Sequence, residues 1–90
     1  MHCSIIIPTL NEAPQIAGTI ASARALEPTE IIVVDGGSTD ETLAAAHGAD
    51  QVLTAPRGRA TQQNTGAAAS QGDVLLFLSS VTPTRASPRC

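Results

Sequence analysis

SIIIPTLNE at residues 4–12 and IIVVDGGSTDE at residues 31–41 follow one pattern, in which a short apolar run ends abruptly in polar residues. The second run is too short for a helix and β-branched throughout, and both runs are predicted to be strands of a parallel sheet. The ends of adjacent strands in an open parallel sheet form the crevice where ligands bind. The two polar loops after these strands are therefore the first candidates for a functional site.

Two longer stretches carry the periodicity of helices. Apolar residues recur at helical spacing over residues 13–25, and Asn11 is a suitable N-cap for this helix. The Ala-rich residues 59–70 predict another helix. Asn64 and Gly66 lower the helix propensity within it, which indicates close contact with a substrate or with neighbouring backbone.

A further helix is predicted between these two. Ser38 and Glu41 match a capping box, in which the hydroxyl and the carboxylate satisfy each other's exposed N–H groups. The helix would extend to His47, with Gly48 as its left-handed terminator.

Strands at residues 51–53 and 74–78 complete the order βαβαβαβ. Because parallel crossovers are right-handed, this order predicts an α/β fold: a doubly wound, all-parallel four-stranded sheet with three helices on its two faces. Residues 79–90 have no periodicity and many small polar residues, so we expect a disordered tail after a single domain at residues 1–78.

Composition excludes several classes of function. Five Arg, no Lys and a net charge of −3 leave no basic stripe, so nucleic acid is not an expected partner. The apolar runs are too short to span a membrane, and the N-terminus lacks the pattern of a signal peptide. The sequence predicts a cytoplasmic protein and leaves its oligomeric state open.

The residues at the two strand ends have both functional and structural interpretations. Asp35 can accept hydrogen bonds from a ribose hydroxyl or a base N–H, or it can bond its own Gly-rich turn. Gly36 and Gly37 permit close approach of a ligand, or simply a tight turn. Pro8 shapes a sharp loop, whereas Glu12 lies where the helix dipole favours a carboxylate even without a ligand.

Arg57 and Arg59 flank Gly58 ahead of the last predicted helix, where the only pair of closely spaced cations in the sequence occurs. A guanidinium near a helix N-terminus suits a diphosphate. The alternative is a pair of solvated loop arginines.

Taken together, these stretches resemble the start of a family 2 glycosyltransferase, one of the inverting, nucleotide-sugar-dependent enzymes of the GT-A fold. The resemblance covers residues 4–78 and rests on the two loops quoted first, on GRATQQNTGA at residues 58–67 and on GDVLLFL at residues 72–78. It implies the strand order 3-2-1-4 and transfer of a sugar, with inversion, from a UDP- or GDP-linked donor to an acceptor hydroxyl. The residues that it assigns to binding of the nucleotide sugar are Pro8, Thr9, Asn11, Glu12, Asp35, Gly36, Gly37, Arg59, Asn64 and Asp73.

The resemblance also implies Mg²⁺ or Mn²⁺, held in the family by an Asp motif after the fourth strand. Ser-Ser-Val-Thr stands there at residues 79–82, and no carboxylate follows Asp73, so no catalytic residue or metal ligand is assigned. We therefore expect an inactive, truncated form. One origin of such a form is a shifted reading frame. A GC-rich gene segment that encodes His-Ala-Asp-Thr-Arg-Leu-Pro would encode residues 82–88 of this chain when it is read one base later.

Two alternatives come from other classes of protein. One is a nucleotide-binding module without catalysis, which would use the same loops to hold a nucleotide. The other is an NAD-type Rossmann domain, and the absence of a Gly-x-Gly-x-x-Gly fingerprint after the first strand weighs against it.

Overall fold

The computed structural model describes residues 2–72 and 74–77. Within them, strands and helices alternate in the predicted order: β1 (Cys3–Thr9), α1 (Ala13–Arg24), β2 (Glu30–Asp35), α2 (Thr42–Ala45), β3 (Gln51–Thr54), α3 (Arg59–Ala69) and β4 (Val74–Phe77). The predictions for Asp73, Leu78 and the tail at residues 79–90 lie outside the described residues. No helix in the described segments has the length and apolar character needed to cross a membrane.

The strands form one sheet of order β3-β2-β1-β4, in which every neighbouring pair is parallel. This confirms the predicted α/β fold and the strand order implied by the resemblance. At the carboxyl ends of the two central strands, Thr9 of β1 pairs with Asp35 of β2. The two polar loops therefore leave the sheet side by side.

Apolar clusters cover both faces of the sheet. On one face, Ile5 and Ile7 pack with Ile16 of α1. On the other face, Ile6 and Val34 pack with α3. All five side chains have no exposed surface, which explains the nearly continuous apolar runs of β1 and β2. This packing sets the register that brings the polar strand ends together.

α2 is shorter than predicted, because it spans Thr42–Ala45 and does not reach His47. The N–H of Ala46 bonds to the carbonyls of both Thr42 and Leu43, at 3.0 and 3.3 Å, so the helix tightens and ends there. Gly48 does not adopt a positive φ, and its prediction as a left-handed terminator is wrong.

Two predicted helix caps are also wrong. Ser38 and Glu41 form no capping box, since the Ser38 hydroxyl donates to Asp35. Asn11 is not the N-cap of α1, because its Oδ1 accepts the N–H of Thr39 at 2.7 Å. In both cases a partner outside the helix has taken the side chain that a local cap would have used.

Candidate functional site

Asp35 is 1% exposed at the end of β2. Its Oδ2 accepts the N–H groups of Gly37 and Ser38 at 2.9 and 2.7 Å, and its Oδ1 accepts the hydroxyl of Ser38. The carboxylate thereby fixes a turn in which Gly37 has a φ of 98°, a conformation that favours glycine. These are the contacts of a carboxylate that bonds its own turn. Contact between Asp35 and a nucleoside stays a prediction.

Hydrogen bonds join the loop after β1 to the loop after β2. The N–H of Asn11 donates to Ser38 Oγ at 2.8 Å, and the N–H of Thr39 donates to Asn11 Oδ1. One residue further along, the N–H of Glu12 donates to Thr42 Oγ1 at 2.8 Å. The two loops therefore form one connected rim at the carboxyl edge of the sheet.

Asp40 connects this rim to the first turns of two helices. Its Oδ1 accepts both the N–H of Thr42, at 2.9 Å, and the Thr42 hydroxyl, while its Oδ2 lies 3.4 Å from the N–H of Ala13. The bond from the Thr42 hydroxyl is the main cause that lowers the pKa of the Asp40 carboxyl. An ionised Asp40 at the start of α1 also suits the helix dipole.

A cavity of about 230 Å³ opens beside the rim. Four residues assigned to the nucleotide sugar line it, namely Pro8, Thr9, Glu12 and Arg59. Leu10, Arg57, Gly58 and Gln62 complete the lining. Since pockets for drug-sized ligands measure roughly 300–1,000 Å³, a space of this size has room for only part of a ligand as large as a nucleotide sugar.

Glu12 supplies the negative charge of the cavity. Its Oε2 is buried and has no hydrogen-bond partner among the described residues. A buried carboxylate oxygen without a donor is costly, and nearly all such groups in proteins are hydrogen-bonded. A hydroxyl or N–H group of a ligand in the cavity would supply the missing donor.

Arg57 and Arg59 supply positive charge to the cavity lining, at the start of α3. Both side chains are exposed, and neither forms an ion pair within residues 2–72 and 74–77. Between them, Gly58 has a φ of 140° and is the N-cap of the helix. Guanidinium groups beside a helix N-terminus are well suited to phosphate oxygens.

Gln62 is the cavity residue that sequence reasoning missed. It is 5% exposed, and its amide Nε2 donates to the carbonyls of Thr9 and Val34 at 2.8 and 2.9 Å. Its Oε1 accepts the N–H of Gly58 at 3.2 Å. A sequence signal existed, because Gln62 precedes the buried Gly66 by one helical turn and so shares its face of α3.

The remaining assigned residues do not line the cavity. Asn11, Asp35 and Gly37 belong to the rim, and Gly36 packs beneath it, where an added Cβ would lie 2.8 Å from Gln62 Oε1. Asn64 is exposed on α3, away from the cavity lining. Asp73 lies outside the described residues.

The residues around the cavity do not fit a divalent cation by themselves. In the described part of the chain, no three His, Cys, Asp or Glu side chains come together as a metal site. Both oxygens of Asp35 are engaged by its own turn, so Glu12 is the carboxylate of the cavity lining that can reach a ligand.

Comparison with protein families matches residues 4–80 to the model of glycosyl transferase family 2. No curated protein matches the chain.

Among solved structures, the fold is similar to that of glucosyl-3-phosphoglycerate synthase from Mycobacterium tuberculosis. The complex of that enzyme with UDP has a TM-score of 0.80 and 28% identity, over 91% of this chain and 34% of the enzyme. Its complex with Mn²⁺, UDP and glucosyl-3-phosphoglycerate gives 0.78 and 29%, over 88% and 33%. The complex with Mg²⁺ and UDP gives the same values. The chain thus spans about a third of the length of these structures.

Proposed function

The chain belongs to glycosyl transferase family 2, and from this we propose that it binds the nucleotide part of a UDP-linked sugar in the cavity beside its carboxyl-edge rim. In an intact enzyme, this segment would present the sugar for transfer to an acceptor hydroxyl with inversion. The proposal names UDP because the similar synthase structures hold UDP.

The observation that carries the proposal is the buried, unpartnered Oε2 of Glu12. A ribose offers hydroxyl donors to such an oxygen, and a diphosphate attached to the same ribose would need cationic partners in the same small cavity. There, Arg57 and Arg59 provide two cations that no acidic side chain in the described segments neutralises. The cavity lining therefore combines a carboxylate that suits a ribose with two cations that suit a diphosphate.

We propose donor binding by these residues and assign none of them to the transfer step. No Asp or Glu follows Asp73 in the sequence, and the described residues do not assemble a metal site. In two of the similar synthase structures, Mn²⁺ or Mg²⁺ accompanies UDP. Such an ion would offset charge on a leaving diphosphate, and its ligands are not among the residues described.

Calorimetric titration of the 90-residue chain with UDP, UDP-glucose, GDP-mannose and NAD tests the proposal. We expect binding of the UDP ligands and none of NAD. Glu12→Gln and Arg59→Ala should each weaken UDP binding about tenfold, the loss expected when one hydrogen bond to a charged group is removed. Glu41→Gln, which removes an exposed carboxylate outside the cavity lining, is the matched control. Equal UDP affinity of all three variants and the wild type would overturn the proposal.

A further inference from the structure

The turn at residues 57–59 carries both cavity arginines, and the carbonyl of Gly58 at its centre accepts the N–H of Gln62 at 2.9 Å. Gly58 at its centre adopts a φ of 140° and a ψ of 126°, a region that is almost exclusive to glycine, and glycine is also the most flexible residue. The neighbouring Arg57 and Arg59 are exposed. The N–H of Gly58 donates to Gln62 Oε1, so a side chain from the next turn of α3 restrains the turn.

Gln62 is itself held in one orientation. Both N–H groups of its amide are used by the carbonyls of Thr9 and Val34, at the ends of the two central strands. Its oxygen is used by Gly58. A primary amide that makes these three bonds in a buried site has a fixed direction, because flipping it would place an acceptor against two carbonyls.

Gly36 adds a steric restraint to this arrangement. An added Cβ at Gly36 would lie 2.8 Å from Gln62 Oε1 and 3.0 Å from its amide carbon, so the absence of a side chain there makes room for the amide. Gln62 thus lies between the rim and the arginine turn and contacts both.

We infer that Gln62 is a positioning residue for the diphosphate of the donor: it fixes the turn at residues 57–59 relative to the rim, so that the two guanidinium groups are already in place when UDP binds. The inference rests on the proposed function. Preorganisation of this kind increases affinity because the ordering of the turn no longer opposes binding. It acts on the phosphates more than on the nucleoside, since Glu12 and the rim are held separately through Ser38 and Thr42. The carbonyl of Thr9, which Gln62 also bonds, accepts the N–H of Gly36 as a second donor.

The test compares UDP with uridine, which lacks the phosphates, in the 90-residue chain. Gln62→Met keeps the side-chain volume and removes all three hydrogen bonds. We expect it to raise the Kd for UDP about tenfold and to change the Kd for uridine by less than about twofold. Gln63→Met, the same substitution at the next position on α3 and outside the cavity lining, should change neither.

A double-mutant cycle gives a second readout that a purely structural role would not produce. If Gln62 acts through the turn, adding Gln62→Met to Arg59→Ala should weaken UDP binding less than it does in the wild type. Amide hydrogen exchange at Gly58 should also accelerate in Gln62→Met, while exchange in β1 and β2 stays slow.

The possible outcomes distinguish failure of the inference from failure of the proposed function. Equal losses for UDP and uridine in Gln62→Met, or additive effects in the cycle, overturn the inference and leave the proposed function standing. Absence of UDP binding by the wild type overturns the proposed function and the inference with it. If Gln62→Met does not fold, Gly58→Ala displaces the same turn while keeping Gln62. It must then show the same selective loss of UDP affinity, and equal loss of uridine affinity would contradict the inference.

Discussion

The main-chain N–H of Glu12 donates to Thr42 Oγ1 at 2.8 Å, which ties the start of α1 to the first residue of α2. Thr42 is fully buried and donates its own hydroxyl to Asp40. The position of the cavity carboxylate therefore depends on a side chain 30 residues further along the chain. A binding group on a loop is kept in place by such support from neighbouring elements.

Thr42→Val keeps the shape of the side chain and removes the hydroxyl. We expect it to lower the free energy of unfolding by about 1–3 kcal/mol, because the buried N–H of Glu12 loses its acceptor. Urea denaturation followed by circular dichroism measures the change. Thr65→Val is the control, since the Thr65 hydroxyl bonds the Thr61 carbonyl within α3. Equal stability of the two variants would contradict the role given to Thr42.

Gly66 and Gly18 offer a matched pair of helical glycines. A Cβ added at Gly66 would lie 2.5 Å from Ile6 Cγ2 and 3.1 Å from Val34 Cγ2, whereas none of the surrounding atoms comes within 4 Å at Gly18. Gly66→Ala should therefore destabilise the fold by about 1–3 kcal/mol through overpacking. Gly18→Ala should stabilise it by about 0.5–1 kcal/mol through helix propensity. Thermal denaturation of both variants checks the opposite signs, and a gain in stability from Gly66→Ala would show that α3 does not approach β1 this closely.

The hydrogen bonds of Glu30 predict how the free energy of unfolding depends on pH. Its Oε2 accepts the Ser4 hydroxyl and the N–H of Gln71, both at 2.6 Å, and these bonds lower the pKa of the Glu30 carboxyl below its ordinary value of 4.5. As the pH falls, the Glu30 carboxyl therefore becomes protonated in the unfolded chain before it does so in the folded chain. The stabilisation is complete above about pH 4.5 and is lost as the pH falls through the folded-state pKa.

Glu30→Gln should therefore flatten the fall in unfolding free energy at acid pH. A residual slope should remain, because hydrogen bonding to Arg24 lowers the pKa of the Asp50 carboxyl in the same direction. Urea denaturation at a series of pH values between 3 and 7 measures how the unfolding free energy of the wild type and of Glu30→Gln depends on pH. Glu41→Gln should retain the wild-type slope, and a Glu30→Gln curve parallel to wild type would contradict the prediction.

The sequence pattern was sufficient to predict the sheet, because the apolar runs and the polar residues that end them are visible within short stretches of the chain. The β-branched run at residues 31–34 is buried as predicted, and the polar residues that end β1 and β2 do meet at one edge. The residues that cap the helices were harder to predict from the sequence. Asn11 and Ser38 have the side chains of local caps, but each bonds across the gap between the two loops, and no local pattern reveals partners 27 and 28 residues away.

The candidate site was likewise predicted in part. Glu12 and Arg59 were selected for their charge at a strand end and at a helix start and for the family resemblance, and both line the cavity. Gln62 was overlooked because a glutamine in an Ala-rich helix is ordinarily solvent-exposed. Its importance comes from carbonyls on β1 and β2 that lie 53 and 28 residues away in sequence. Asn64 was selected for its low helix propensity, yet it is exposed and does not line the cavity.

Titration of the ¹⁵N-labelled 90-residue chain with UDP, followed by two-dimensional NMR, tests the donor site most directly. We expect the largest amide shifts on both sides of the cavity, at Thr9, Leu10 and Glu12 and at residues 57–59. Absence of shifts at millimolar UDP, or shifts confined to the opposite edge of the sheet around Glu30, would show that this cavity does not bind the nucleotide.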